Sequence, residues 1–449
     1  MPTVRILKGR NIPLKGRASA ELKALPLPSE CIFPFHDFAP RQFRLLIKEG
    51  DRVLVGSPIA EDREHPGLVL VSPVSGTVKL VNRGDKRALL SITFSADGQQ
   101  APVQHQKFSP ESLSGLSREA VIEQLLKGGV WPFLRQRPFS RTADPMNTPK
   151  SIFVRAMNTD PLAPDLDVVL NGVEREFQAG LDVLKRLTPG HVYLCFDARA
   201  QAKALTGAVN VQPVAFSGPH PAGNVGTHIH HCDPVGKGDV VWFIEAQDVA
   251  RAGRLFLDGV FDPSKVVAVT GEGVASRHHV RTLLGAPLAH ILGEKKNDTL
   301  RYISGSVLSG RDAGYDGAVG LYDAQVTVIP AGGTRKLFGW LMPMFKDYSF
   351  SRTVASALTP QRDVSLDTAV HGGLRAVVVN DLYDELNAID VMTYFLIKAI
   401  YGHQIEEMIR LGILECAPED FALATFACPS KIDVGGIIQR GLDMIEKEG

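Results

Sequence analysis

Cysteine, net charge and long apolar runs are what this sequence has least of. Five cysteines stand in 449 residues, at Cys31, Cys195, Cys232, Cys416 and Cys428, scattered and odd in number. That argues against a secreted disulfide framework and for a reducing compartment. Lys plus Arg equals Asp plus Glu at 49 each, which leaves no basic surplus to displace phosphate counterions, so nucleic acid is not an expected partner. The longest stretch free of Asp, Glu, Lys and Arg runs from Ala204 to Cys232, and it carries prolines, glycines and histidines that would break a bilayer-spanning helix and leave it polar. The opening residues, MPTVRILKGRNIPLKGRA, have no apolar core of the signal-peptide kind. A cytoplasmic chain of several domains, with no transmembrane segment, is expected.

What is present divides into five blocks. In residues 1–104, short β-rich runs alternate with turns (EGD, SPVSG, NRGD) from Phe43 to Phe94, the mark of a small β-barrel or sandwich. The pattern GDRVLVGSPIA…SPVSGTV resembles the biotinyl/lipoyl-carrier hammerhead, but no lysine lies between Lys48 and Lys79 and the expected hairpin tip reads EDREHPG. A structural module without swinging-arm chemistry is expected. Residues 105–150 form a helical connector: SREAVIEQLLKGGVW spaces Ala120, Ile122, Leu125 and Leu126 for one buried face and places Gly128 as a stop. Residues 151–262 alternate strand and helix, SIFVRAM, REFQAGLDVLKRLT, HVYLCF, DVVWFIEA and QDVARAGRLFLDG, as a parallel Rossmann-like sheet does; the strand KVVAVTG is expected to extend the same rhythm. Residues 263–330 read as a compact α+β module. Residues 331–449 are mainly helical, ending in a helix capped by Asp433 with an apolar stripe of Ile437, Ile438, Leu442 and Ile445.

Four constellations invite chemistry. In FSGPHPAGNVGTHIHHC, His228 and His230 would share a face if they lay on a strand, with His220 or Cys232 as further ligands for zinc. No ligand-spacing signature supports that metal reading. The turn residues Gly218, Pro219, Pro221 and Gly223 instead fit a loop at the carboxyl edge of a sheet, where α/β proteins bind ligands. In VVAVTGEGVASRHH, Gly271-Glu272-Gly273 followed by Ser276 is a partial dinucleotide fingerprint. In CAPEDFALATFACP, a four-iron cluster would take ligands at 418, 421, 424 and 428 with proline at 429, yet only Cys428 and Pro429 match. One thiolate cannot hold a cubane. In GGVWPFLRQRPFSR, Gly128 to Arg141, a flavin phosphate would need successive glycines, and Trp131, Pro132, Phe133 and Arg135 are too bulky.

The blocks ILKGRNIPLKG, VNRGDKRALLSI, LLKGGVWPFLRQRPFS, FSGPHPAGNVGTH, RYISGSVLSG, KLFGWLMP and TFACPSKIDVGGIIQRGLDMIEKEG resemble, in order and from end to end, the family of the A-type subunit of the Na+-translocating NADH:quinone oxidoreductase (Na+-NQR) of bacterial respiratory chains. That family is similar in turn to the C-type subunit of the Rnf electron-transport complex and to the flavin-bearing NADH-oxidising subunit of respiratory complex I. The resemblance implies a carrier-like barrel, a Rossmann-like domain, an SLBB (ubiquitin-like) module and a helical C-terminal domain, none holding a cofactor. FMN, FAD, riboflavin and iron–sulfur centres would reside in other subunits. It implies a peripheral subunit on the cytoplasmic face of the bacterial inner membrane, docked on membrane subunits of a translocase that couples NADH oxidation and ubiquinone reduction to sodium export. Neither catalytic nor metal-binding residues are expected. Ubiquinone contact is expected, if anywhere in the chain, at Trp131, Phe133, Arg137, Phe139, His220 and His228. The competing expectations are a docking scaffold with no ligand and an independent NAD-dependent dehydrogenase using the glycine turn at 271–273.

Overall fold

The structure is a computed structural model and describes residues 2–38, 41–332, 344–345, 347–358 and 363–448. The KLFGWLMP block, 336–343, lies outside the described residues.

A seven-stranded sheet forms the centre. Its order is Thr3–Arg5, Gln212–Ser217, Val192–Asp197, Ser151–Ala156, Val241–Glu245, Arg135–Arg137, Arg141–Thr142. The first five strands are mutually parallel and the last two add an antiparallel edge. The inner parallel strands Ser151–Ala156, Val192–Asp197 and Val241–Glu245 are largely apolar on both faces because helices cover both. Ile152, Val154, Val192 and Leu194 pack under the helices Glu174–Lys185 and Ala246–Asp258. Phe153, Cys195, Val214 and Phe243 pack under the helix Val225–Cys232. The two helices on the first face approach closely at glycines: a Cβ on Gly180 would sit 2.0 Å from the Val249 carbonyl oxygen, and one on Gly253 would sit 1.8 Å from that of Glu176.

A four-stranded antiparallel sheet (Glu30–Pro34, Leu89–Ala96, Gly76–Arg83, Arg52–Val53) and a three-stranded one (Phe43–Leu45, Pro58–Asp62, Val69–Val71) make the expected β module. A six-stranded mixed sheet has a parallel pair, Ser264–Thr270 and Gln325–Pro330, at its centre, with antiparallel partners His279–Leu283 and Leu300–Ser304 outside them. The described part of the tail is helical from Leu382, over a separate core that includes Tyr383, Leu396, Phe421, Ile438 and Leu442. Its last helix, Val434–Glu448, begins where Gly436 N donates to Asp433 Oδ1 at 2.9 Å, and it buries Ile437, Ile438, Leu442 and Ile445 as the stripe requires.

Four expectations are corrected. The first residues do not stay with the β module: Thr3–Arg5 extends the parallel sheet and Leu22–Ala24 extends the mixed one. The strand KVVAVTG belongs to the mixed sheet, because it pairs with a following antiparallel strand where a Rossmann unit would place a crossover helix. In the helix Arg118–Lys127, Ala120 is exposed, and the inner face is Val121 and Leu125 flanked by half-buried Ile122 and Leu126. His228 and His230 lie on a helix, so they diverge by about 200° where a strand would have aligned them.

Candidate functional site

The chain leaves Ser151–Ala156 for two strands on one side and then crosses to Val241–Glu245 on the other. That reversal is where parallel α/β sheets open a ligand crevice at their carboxyl edge. Here the crevice is filled by charge pairs of the protein itself. Arg155, alternating with Phe153, lies at the end of the central strand, close to the loop that leads into the helix Val225–Cys232. It donates to Gly223 O at 2.7 Å and pairs with Glu245 at 3.3 Å, while Asp160 stands 4.0 Å away. Arg135 reaches the same Glu245 at 3.5 Å and lies over the rings of Phe243 and Tyr322.

The C-terminal domain closes the site. Asn224, at the start of the helix Val225–Cys232, donates through its side chain to Glu419 O at 3.1 Å. The Asp420 carboxylate presses on the first turn: a Cβ on Gly226 would lie 2.5 Å from Asp420 Oδ2. Free N–H groups and the helix dipole make such a turn an anion position, and a carboxylate of the chain lies against it. Arg137, with no exposed surface, completes the arrangement, 3.0 Å from Glu419 Oε1 and 3.4 Å from Asp420 Oδ2, with Nη1 also 3.3 Å from Glu415 O. Ala417 N donates to Asp420 Oδ2 at 3.0 Å. Burial pushes the Asp420 carboxyl up to about 6, against the pull of Arg137. Burial acts the same way on Glu419, but Arg137, Arg135 and Arg155 together hold it below the ordinary carboxylate range. Beyond them Glu415 accepts from Val235 N at 3.0 Å and meets His230 Nδ1 at 2.8 Å, a hydrogen bond that raises the imidazole's pKa.

The six residues read as quinone contacts are not brought together. Trp131 and Phe133 lie on the opposite face of the sheet from His228. Trp131 donates to Ala143 O at 2.8 Å and meets Trp242 edge to face at 5.3 Å. Arg251 lies 4.4 Å over the ring of Phe133, and the void beside that ring measures about 10 Å³, room for no more than one water. Arg137 is spent on the acidic pair. His220 is buried beside Thr159 Oγ1 at 3.3 Å, and burial lowers its pKa. His228 has no exposed surface, its Nε2 lies 3.0 Å from Ala222 O, and burial followed by the Arg155 charge lowers its pKa to about 3. Phe139 alone of the six is partly exposed; it packs on the C-terminal core with Arg141 5.4 Å over its ring. A groove of about 490 Å³ on the mixed sheet, lined by Tyr302, Tyr315, Arg301 and Lys296 among others, includes none of the six.

The remaining motifs have local explanations. Gly271, at φ 102°, lies against Val328, where a Cβ would be 2.0 Å from the carbonyl oxygen, and the turn leads into a hairpin with no helix to receive a pyrophosphate. At the positions of the cluster motif, Phe421 and Ala424 fill the C-terminal core, and Cys428 Sγ lies 3.0 Å from the Tyr383 hydroxyl. The carrier-like hairpin tip is tied down: Arg41 pairs with Asp62 and donates to Thr142 O at 3.0 Å, and His65 lies 3.3 Å from Asp144. Among the described residues one trio, Asp62, Glu64 and His65, brings three possible metal-ligating atoms within 4.8 Å, with Asp62 neutralised by Arg41.

Sequence reading missed Arg155, Asn224, Glu415, Glu419 and Asp420. The available signals were a lone arginine inside the apolar strand SIFVRAM, and the ED pair between the positions searched for cysteine.

Three family models match the chain, and the second takes in most of the connector 105–150. Residues 4–97 match the model of the NqrA N-terminal barrel-sandwich hybrid domain, 116–261 that of the NqrA second alpha/beta domain, and 266–314 that of the NQRA C-terminal domain. The chain is 37% identical to the A-type subunit of the Na(+)-translocating NADH-quinone reductase of Neisseria meningitidis serogroup A over 448 residues, 99% of this chain and 100% of that protein. It is 38% identical to the protein of the same name from Pasteurella multocida and 37% identical to that from Yersinia pestis, with the same shares covered. These matches cover 99% of this chain. The chain therefore belongs to the NqrA family, the A-type subunits of the Na+-translocating NADH:quinone reductase.

Proposed function

We propose that this chain is the peripheral assembly subunit of a Na+-translocating NADH:quinone reductase, docked on membrane subunits on the cytoplasmic face of the bacterial inner membrane. Its α/β crevice is plugged by its own C-terminal domain, and FMN, FAD, riboflavin and iron–sulfur centres belong to other subunits. The observation that carries this reading is Asp420 at the start of the helix Val225–Cys232, held by Arg137, because a flavin or dinucleotide phosphate would have to displace a buried ion pair from that position. No described helix is long and apolar enough to cross a membrane, which agrees with a peripheral place. The central parallel pair of the mixed sheet supports the ubiquitin-like reading of 263–330. An independent dehydrogenase finds no support at 271–273, where a hairpin follows the glycine turn.

Quinone contact is retained at one position. Phe139 is partly exposed, at φ 78°, under the Arg141 guanidinium. Photolabelling the complex with a short-chain azidoquinone tests it: modification at Phe139 and its neighbours supports contact, and labelling confined to other subunits removes it. The assembly reading is tested by tagging this chain in its host, solubilising membranes in mild detergent and purifying by the tag. The flavin-bearing subunits are expected to co-purify and the chain stripped from them by urea to be colourless. A chain that elutes alone, or retains stoichiometric flavin or iron, would overturn the proposal.

A further inference from the structure

Two of the five cysteines meet across the second face of the parallel sheet. Cys195 lies on the strand Val192–Asp197 with no exposed surface, and Cys232 is the last residue of the helix Val225–Cys232 that covers it. Cys195 belongs to one packed cluster with Phe216, Val225 and Ile229, Cys232 packs against the same cluster, and each thiol influences the other's ionisation. Cys232 is partly exposed, whereas Cys31, Cys195, Cys416 and Cys428 are buried. The pair thus has one partly exposed cysteine and a second buried in the cluster that it packs against, the arrangement that a reactive and a resolving thiol need. The hydrogen bond from Cys195 favours the Cys232 thiolate over its ordinary state, opposed by burial and by the Asp233 charge, and burial holds Cys195 in the thiol form. The helix that carries Cys232 also carries the contacts that seat the C-terminal domain, at Gly226 and His230, with Asn224 at its start.

We propose that Cys195 and Cys232 form a peroxide-oxidisable dithiol whose disulfide pins the helix Val225–Cys232 to the sheet and so fixes the seat of the C-terminal domain. The Cys232 thiolate attacks one oxygen of a hydroperoxide, the O–O bond breaks, and the other oxygen leaves as water or alcohol after taking a proton. The resulting sulfenic acid is attacked by the Cys195 sulfur. An S–S bond forms, the S–O bond breaks, and the oxygen leaves as water with the Cys195 proton. Two electrons pass from the sulfurs to the peroxide.

The full-length chain is treated with a small excess of hydrogen peroxide, its remaining thiols are blocked with N-ethylmaleimide, and it is digested with trypsin without reduction. The expected product is a disulfide between the peptides 187–199 and 204–237, with the titratable thiols of the denatured chain falling from the five of the sequence by two and returning after dithiothreitol. Hydrogen exchange of the amides in 225–232 is expected to slow in the oxidised form. A Cys195→Ser variant, which keeps a small polar side chain, is expected to lose the disulfide and carry Cys232 on to sulfinic acid. The proposal is overturned if Cys232 in the wild-type chain is over-oxidised or unreactive while Cys195 stays free, or if the disulfide forms and leaves exchange in 225–232 unchanged.

Discussion

Arg137 is the residue on which the seam between sheet and C-terminal domain depends. Removing a buried guanidinium strands the charges that it neutralised, and that costs more than the pair contributes in the native protein. Arg137→Met is therefore expected to lower the unfolding free energy by about 3–5 kcal/mol in urea titration, and pairing it with Asp420→Asn should recover part of that loss. A cost under about 1 kcal/mol would mean that the guanidinium is solvated. His228 gives a pH signature. Its pKa is about 3 in the fold against an ordinary value near 6.5, so the unfolded chain takes up a proton that the folded chain refuses. Its contribution is full above pH 6.5 and is lost as pH falls from there toward 3. Asp420 acts oppositely: with a folded pKa of about 6, it favours the fold as pH drops from 6 toward its ordinary range. The histidine is isolated by comparing wild type with His228→Gln. Between pH 7 and pH 5 the variant should gain about 2 kcal/mol relative to wild type, and parallel profiles would show that His228 is protonated in the fold.

At the scale of elements, the helix Val225–Cys232 links the sheet edge, the thiol pair and the C-terminal domain. Gly226 is required by the close approach of Asp420. Gly226→Ala should cost about 1–3 kcal/mol through that clash, whereas in an Asp420→Gly background the better helix propensity of alanine should make the same change neutral or favourable by up to about 1 kcal/mol. Equal effects in both backgrounds would separate the glycine from the carboxylate. The last helix offers a simpler case: Ile438→Asp puts an unpaired carboxylate into a fully buried position and should lower the thermal midpoint sharply. These elements differ in how well sequence revealed them. The stripe at Ile437, Ile438, Leu442 and Ile445 was legible because a period of 3.6 is written in the residues themselves. HIHHC was not, since a short run of histidines fits strand and helix equally, and only the helix's position between the sheet and Glu415 decides the matter.

Across the whole molecule, the segment Gly128–Arg141 is the hub. Phe133 packs in the main core, Tyr322 of the mixed-sheet module donates to Pro132 O at 2.8 Å, and Arg137 enters the C-terminal domain. A second charged set, buried Asp248, Arg251 and Lys265 with half-buried Asp37 and Asp323, lies where the β module, the parallel sheet and the mixed sheet meet. Lys265 donates there to Gly320 O and Leu321 O, and burial brings its pKa down to about 8. The units themselves were largely readable, because each has its own hydrophobic period. The joints were not, because they depend on residues hundreds of positions apart: Thr3–Arg5 completes the parallel sheet, and Asp420 fills a crevice whose other walls come from 155, 224 and 245. The bulky side chains of WPFLRQR argue against a flavin loop at that segment; they carry no sign of what lies in its neighbourhood. The function proposed for the chain depends on that filling. Fluorescence titration of the purified full-length chain with FMN, and separately with NADH, measures it most directly. Neither ligand should show saturable binding, whereas stoichiometric binding that protects 224–229 and 415–421 from hydrogen exchange would contradict a crevice closed by Arg137, Glu419 and Asp420.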